Sequence, residues 1–147
     1  MRISGMVTRG HQVASGQGGD PRYPIGTLGL QLPLFNAAGV PVGGFFAGTI
    51  NVSIAPKRYR ILEVPFQLES VCWTDQHPPE DFFFWKCELV HNGSTHSALI
   101  YMPSPETKQE HFQQDSILEI LAQPISNLEY GDRVEIKLPD GQIELFE

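Results

Sequence analysis

The stretch FFFWKCELVHNGSTHSALIYM, residues 82–102, decides the fold class. Its first half is crowded with aromatic residues, which favour strands, and its second half, THSALIYM, can form another strand. Between the halves stands Asn92-Gly93, the dipeptide that favours a two-residue β-hairpin turn. The stretch therefore predicts an antiparallel hairpin over residues 82–102, and a protein built mainly from strands.

Shorter strand-like runs recur on both sides of this hairpin, separated by turns rich in glycine and proline. The predicted strands lie at 1–8, 27–35, 46–54, within 58–73 as one or two strands broken near Pro65, at 133–138 and at 143–146. Segment 116–125 is compatible with a strand or a short helix. Eight to ten short strands without a long amphipathic helix predict an all-β barrel or sandwich. No repeat or linker interrupts the pattern, so we expect one domain over residues 1–147.

The prediction at residues 27–35 depends on one pattern. Leucine occupies every second position from Leu28 to Leu34. Alternation of this kind is typical of a strand with one buried face.

The bulk composition narrows the classes of function. The chain has 147 residues and a formal net charge of -7, which argues against nucleic-acid binding because that needs a basic surface. Cys72 and Cys87 have neither CxxC spacing nor a disulfide framework around them. The N-terminal residues lack the apolar core of a signal peptide, and no stretch is long enough to cross a membrane as a helix. We therefore expect a cytoplasmic protein with neither a nucleic-acid nor a membrane partner.

Thr49 and Asn51 form the first candidate site. They lie two residues apart in a predicted strand, so their side chains point to the same face. A hydroxyl and an amide oxygen are hard ligands that could hold a hydrated Mg²⁺ if substrate phosphates complete its coordination. The alternative is that both side chains cap neighbouring backbone at the end of a barrel.

Glycines supply a second candidate site. Gly10, Gly16, Gly18 and Gly19 could let backbone N–H groups approach phosphates, or they could belong to an ordinary surface loop. Neither a Gly-Lys-Ser/Thr ending nor a following helix identifies a known phosphate loop.

Histidines supply a third candidate. His91, His96 and His111 could hold a transition metal together with Cys87 or Glu119, as in a cupin-like enzyme. No HExxH-type spacing supports that reading.

Four segments, taken in order, resemble a known family. They are GMVTRG at 5–10, GTIN at 48–51 after an aromatic run, SILEILA at 116–122 and LEYGDRVEI at 128–136. This order resembles the CTP-dependent riboflavin kinases of archaeal type, and the match spans residues 4–138. The resemblance implies a single six-stranded cradle-loop β-barrel of the riboflavin-kinase type, here with an extra hairpin.

The resemblance also implies a reaction, which is phosphoryl transfer from CTP or another nucleotide to riboflavin, giving FMN. By position, Thr49 and Asn51 match the Mg²⁺ ligands and Glu119 a flavin-binding glutamate, with Thr107 as the flavin-binding threonine. The nucleotide phosphates would lie against Gly10, Gly16, Gly18 and Gly19.

Two departures from the family pattern keep alternatives open. HQVAS separates Gly10 from GQGG, and QPISNL at 123–128 stands where the family has a basic segment that contacts the nucleotide. The nucleotide donor is therefore open. The alternatives are a non-catalytic β-barrel that binds a small ligand or a protein partner, and the cupin-like histidine–metal enzyme.

Overall fold

The computed structural model describes residues 1–9, 27–75, 78–104 and 115–147. These residues form one helix and nine strands. In chain order the elements are β1 (Arg2–Thr8), α1 (Thr27–Ala37), β2 (Ile50–Ser53), β3 (Arg58–Ile61), β4 (Phe66–Val71), β5 (Glu80–His91), β6 (Ser94–Pro103), β7 (Ile117–Ala122), β8 (Arg133–Lys137) and β9 (Ile143–Phe146).

Six of the strands close into an antiparallel ring. The ring runs β5-β6-β7-β2-β1-β8 and returns to β5. The ring is closed by three residue pairs between β5 and β8, namely Glu88↔Lys137, Leu89↔Ile136 and Val90↔Glu135. β4 lies outside the ring and forms an additional hairpin with the first half of β5, while β3 and β9 make a separate two-stranded sheet. The prediction of a six-stranded barrel with an extra hairpin is confirmed.

The hairpin predicted over 82–102 is confirmed and forms the longest ladder of the barrel. β5 and β6 stay in register from Phe82↔Pro103 to His91↔Ser94. Asn92 and Gly93 form the two-residue turn with φ values of 49° and 78°. Positive φ at both central residues is what the tight hairpin turn requires, and asparagine and glycine adopt it at low cost.

Large apolar side chains fill the inside of the ring. The biggest is Trp85, which is fully buried and donates its indole N–H to the Glu63 carbonyl at 2.7 Å. Gly5 on β1 faces Val52 so closely that a Cβ at this position would lie 2.4 Å from Val52 Cγ1. A larger residue at position 5 would therefore push β1 and β2 apart.

The prediction of a strand at 27–35 is wrong, because these residues belong to α1. The buried residues of the helix are Leu28, Gln31 and Phe35, spaced three and four apart as one helical face requires. Leu34, which the alternation placed beside Leu28, is 41% exposed. The leucines at every second position are distributed around the helix and do not share a face.

Aromatic contacts hold α1 against the outside of the barrel. The Phe35 ring meets Phe82 and Phe84 edge-on at centroid distances of 4.9 and 5.0 Å. The Tyr101 hydroxyl donates a hydrogen bond of 2.7 Å to Gln31 Oε1, which satisfies a buried amide. These contacts create a second core, separate from the one inside the ring.

The remaining strand predictions are confirmed, most of them with shorter bounds than expected. The stretch 58–73 holds two strands, β3 and β4, on either side of Pro65, and 116–125 contains a strand, β7. The strand predicted at 46–54 is β2, so Thr49 stands just before its first residue. Within the described chain, no helix has the length and apolar character needed to span a bilayer.

Candidate functional site

A pocket of about 540 Å³ opens at one end of the barrel. Three strand ends meet there, because β1 ends at Thr8, β2 begins at Ile50 and β7 ends at Ala122. The segment 123–130 completes the wall. The volume is in the range of pockets that bury a small organic ligand.

Thr49 and Asn51 both line this pocket. The Thr49 hydroxyl donates to Asn51 Oδ1 at 3.4 Å, and Asn51 Nδ2 donates to the Arg9 carbonyl at 3.4 Å. The second bond fixes which way the buried amide points, with its oxygen toward Thr49. Capping of neighbouring backbone, the alternative reading of the sequence, is therefore part of what Asn51 does.

The spacing of the two oxygens, which is that of their hydrogen bond, is also compatible with a shared magnesium ion. Neighbouring ligands of an octahedral Mg²⁺ with bonds of 2.0–2.1 Å are about 3.0 Å apart. The 3.4 Å between Thr49 Oγ1 and Asn51 Oδ1 lies near that separation. An amide whose nitrogen is tied to backbone presents its oxygen in a fixed direction, as outer hydrogen bonds commonly do for metal ligands.

Glu119 lies beside Asn51 on the neighbouring strand. The two residues are directly paired between β2 and β7, and Thr8 is paired with Asn51 from the β1 side. Directly opposed residues of antiparallel strands project to the same face, so Thr8, Asn51 and Glu119 form a polar row across three strands. The barrel thus brings together three of the residues singled out in the sequence: Thr49, Asn51 and Glu119.

The polar row continues toward α1 through Tyr101. Burial chiefly, and then the negative charge of Glu119, raise the pKa of the Tyr101 phenol. Tyr101 is therefore neutral across the physiological pH range and acts as a donor to Gln31.

Two exposed aromatic rings stand in the wall of the pocket. Phe46 is 49% exposed and Tyr130 is 52% exposed. The guanidinium carbon of Arg9 lies 5.1 Å from the centroid of the Tyr130 ring, within the range of a cation–π contact. A planar ligand would find in these rings the kind of apolar faces on which such ligands stack.

Asp132 organises the turn that carries Tyr130. Its Oδ2 accepts hydrogen bonds from the Glu129 backbone N–H at 3.0 Å and from His91 Nε2 at 2.9 Å. The Glu129 N–H first, and then His91, hold the pKa of the Asp132 carboxyl below its ordinary value. Gly131 has a φ of 91° and donates to the Val7 carbonyl at 2.8 Å, which ties the turn to β1.

Several predicted residues lie outside the described part of the chain. They are Gly10, Gly16, Gly18, Gly19, Thr107 and His111. Conversely, the residues of the pocket region that were not singled out in the sequence include Thr8, Arg9, Phe46, Glu129 and Tyr130. The Glu-Tyr-Gly-Asp turn signal at 129–132 was the one cue to the last two.

The two histidines of the described residues, His91 and His96, are not gathered at a metal site. His91 is bonded to Asp132, and His96 is paired across the hairpin with Leu89. Burial raises the pKa of the Cys87 thiol to about 12, so it is not a ready thiolate ligand. Among the residues at 1–9, 27–75, 78–104 and 115–147, no three His, Cys, Asp or Glu side chains are grouped to hold a metal ion.

Comparison with known proteins assigns no family: no family model matches the chain, and no curated protein matches it significantly.

Proposed function

We propose that this barrel binds a magnesium–nucleotide complex and transfers a phosphoryl group from it to riboflavin, giving FMN. The observation that carries the proposal is the juxtaposition of Thr49, Asn51 and Glu119. The sequence resemblance gives these residues the metal and flavin roles. Thr49 and Asn51 line a ligand-sized pocket, and Glu119, which does not line it, is paired with Asn51 on the neighbouring strand.

The reaction breaks the bond between the terminal phosphorus of the nucleoside triphosphate and its bridging oxygen. It forms a bond from that phosphorus to the 5′-oxygen of riboflavin, so a nucleoside diphosphate, FMN and a proton leave. Such transfers need positioning and charge stabilisation more than a covalent participant. A bound Mg²⁺ would neutralise charge on the phosphate oxygens.

The residues of the chain would divide the remaining work. Thr49 Oγ1 and Asn51 Oδ1 would hold the ion, with Asn51 oriented by the Arg9 carbonyl. The Glu119 carboxylate would accept a hydrogen bond from the flavin ring. Phe46 and Tyr130 would offer apolar faces to a planar group and keep water from that side of it.

Binding without turnover is a second candidate, and one observation favours it. Asn51 already uses its nitrogen on Arg9 and its oxygen on Thr49, so both residues serve the architecture of the pocket even without a metal. The pocket would then hold a flavin or a similar planar molecule and release it unchanged.

One assay separates the two candidates. The protein is incubated with Mg²⁺, riboflavin and each of CTP, ATP, GTP and UTP, and FMN is separated from riboflavin by chromatography. The variants Thr49→Ala and Asn51→Ala are assayed beside Thr95→Ala, an exposed threonine of β6 that serves as the matched control.

The kinase proposal requires that the parent and Thr95→Ala form FMN, and that Thr49→Ala and Asn51→Ala lose most of that activity. If folded parent protein forms no FMN with any nucleotide, the kinase proposal is wrong. Quenching of riboflavin fluorescence without FMN formation would instead support the binding module.

A further inference from the structure

Of the five arginines among the described residues, Arg9 and Arg133 pair with no described carboxylate, and Arg133 does not line the pocket at the end of the barrel. Arg2, Arg58 and Arg60 each pair with a carboxylate, namely Glu135, Asp115 and Glu144. Arg9 pairs with no carboxylate among the described residues, and its guanidinium lies over the Tyr130 ring instead. A guanidinium has five N–H donors, and stacking on a ring leaves them available to an anion.

Arg9 does not line the pocket, but it is next to one lining residue in the chain and its guanidinium lies against another. Its neighbour Thr8 lines the pocket, and so does Tyr130. Its carbonyl accepts the hydrogen bond from Asn51, so the same amide that presents an oxygen toward Thr49 fixes the backbone from which the Arg9 side chain begins. The Arg9 guanidinium therefore lies against one wall residue of the pocket, Tyr130, while the Arg9 backbone holds Asn51.

The negative charge of the protein makes the position of the Arg9 guanidinium relevant to ligand binding. The chain carries a formal net charge of -7, and the pocket itself is lined by Glu129. Such a field disfavours anions, so an anionic ligand needs a local cation that no carboxylate already neutralises. Arginine suits phosphate in particular, because its planar fork can donate two parallel hydrogen bonds to one phosphate group.

We propose that Arg9 recognises a phosphate group of the ligand at the rim of the pocket, with Tyr130 holding the guanidinium in place before the ligand arrives. The pocket would accordingly prefer phosphate-bearing ligands over their neutral counterparts. The phosphate belongs either to the nucleotide donor or to FMN. This inference rests on the proposed function for the identity of the ligand, whereas the anion preference can be measured without any reaction.

Inorganic pyrophosphate with Mg²⁺ is the first probe, titrated into the full chain by calorimetry. The variants are Arg9→Gln, Arg9→Lys and, as matched control, Arg2→Gln. The control removes the same charge at the first residue of β1, whereas Arg9 directly follows the last one, about 23 Å away at the usual rise per residue. We expect about a tenfold or greater loss of affinity in Arg9→Gln, since a charge-assisted pair is lost. Arg9→Lys should lose less, and Arg2→Gln should match the parent.

Three results would overturn the assignment. They are parent protein that does not bind pyrophosphate, Arg9→Gln protein that binds it as tightly as the parent, and an equal loss in Arg2→Gln, which would mean that only net charge matters. Circular dichroism of each variant establishes that the barrel is folded before its affinity is compared.

Titrations with CTP, FMN and riboflavin then identify the source of the phosphate. If Arg9→Gln loses affinity only for CTP, Arg9 contacts the phosphate of the donor; if it loses affinity only for FMN, Arg9 contacts the phosphate of the product. Either result supports the proposal. The affinity for riboflavin should not change. If the protein makes no FMN but binds pyrophosphate in a way that depends on Arg9, the kinase reaction is refuted and the anion site is supported. FMN formation with an unchanged nucleotide KM and unchanged FMN affinity in Arg9→Gln would refute only the role of Arg9.

Discussion

His91 Nε2 and Asp132 Oδ2 are 2.9 Å apart, which joins the end of β5 to the turn that carries Glu129 and Tyr130. The same carboxylate oxygen accepts the Glu129 backbone N–H, so one atom fixes both the shape of the turn and its attachment to the barrel. The pocket wall therefore depends on a charged group that is not among the residues lining the pocket.

Acid should weaken the protein through this carboxylate. The pKa of Asp132 in the folded state lies below its ordinary value of 3.8, so folding favours its ionised form. The resulting stabilisation is complete above pH 3.8 and is lost as pH falls through the lowered pKa. In urea, the free energy of unfolding should therefore be lower in Asp132→Asn than in the parent above pH 3.8, and this difference should shrink below pH 3.8.

Asp140→Asn provides the control, because the Asp140 side chain is 90% exposed and pairs only with the terminal amine among the contacts of the described residues. An equal acid dependence in parent and Asp132→Asn would contradict the role of this carboxylate.

The helix α1 should depend on Phe35 and not on Leu34. Phe35 is fully buried among Phe82, Phe84 and Tyr101, whereas Leu34 is 41% exposed. Phe35→Ala should lower the free energy of unfolding by about 3–5 kcal/mol, the range for deleting a buried aromatic side chain. Leu34→Ala should change it by at most about 0.5 kcal/mol. Chemical denaturation measures both, and a larger loss in Leu34→Ala would favour the strand over the helix.

The inside of the barrel should not tolerate a methyl group at Gly5. The added Cβ would meet Val52 Cγ1 at 2.4 Å and the Ser53 carbonyl oxygen at 2.8 Å. The second contact is with a backbone atom, which cannot be relieved by a change of rotamer. Gly5→Ala should therefore cost at least about 1–3 kcal/mol, as overpacking does.

Gly43→Ala is the matched control, because a Cβ there meets nothing within 4 Å. Its midpoint of thermal unfolding should stay near that of the parent. Similar midpoints for the two variants would mean that β1 and β2 are not packed as tightly as described.

The two cysteines should react at very different rates. Cys72 is exposed, whereas Cys87 is buried inside the barrel and burial raises the pKa of its thiol to about 12. Because the thiolate is the reactive form, a disulfide reagent at pH 8 should modify one equivalent of thiol in the native protein and the second only after unfolding. Cys72→Ala should abolish the fast phase, and a fast phase that survives in this variant would contradict the burial of Cys87.

The sequence predicted the barrel because local signals agree with its long-range pairing. Asn92-Gly93 fixes the central hairpin, and Pro65 divides β3 from β4 as the turn chemistry suggests. The helix was missed for a reason that is also physical. Gln31 looks like a solvent-facing interruption, and it becomes part of the buried face only because Tyr101, far along the chain, supplies its hydrogen-bond donor.

Some residues of the candidate site could be predicted from the sequence and others could not. Thr49 and Asn51 could be found from their spacing in the sequence, although Thr49 stands just before β2. Arg9 and Tyr130 could not, because they meet only when β8 closes against β1 and brings the turn at 129–132 to the end of β1. No short-range pattern encodes a contact between those two segments.

Ring closure through β8 also sets the order of events during synthesis. β1 and β5 are both made before the strand that bridges them, Arg133–Lys137. A nascent chain emerging from the ribosome therefore carries two bare strand edges until β8 leaves the exit tunnel. Chaperones, and other copies of the same unfinished chain, would meet those edges during that interval.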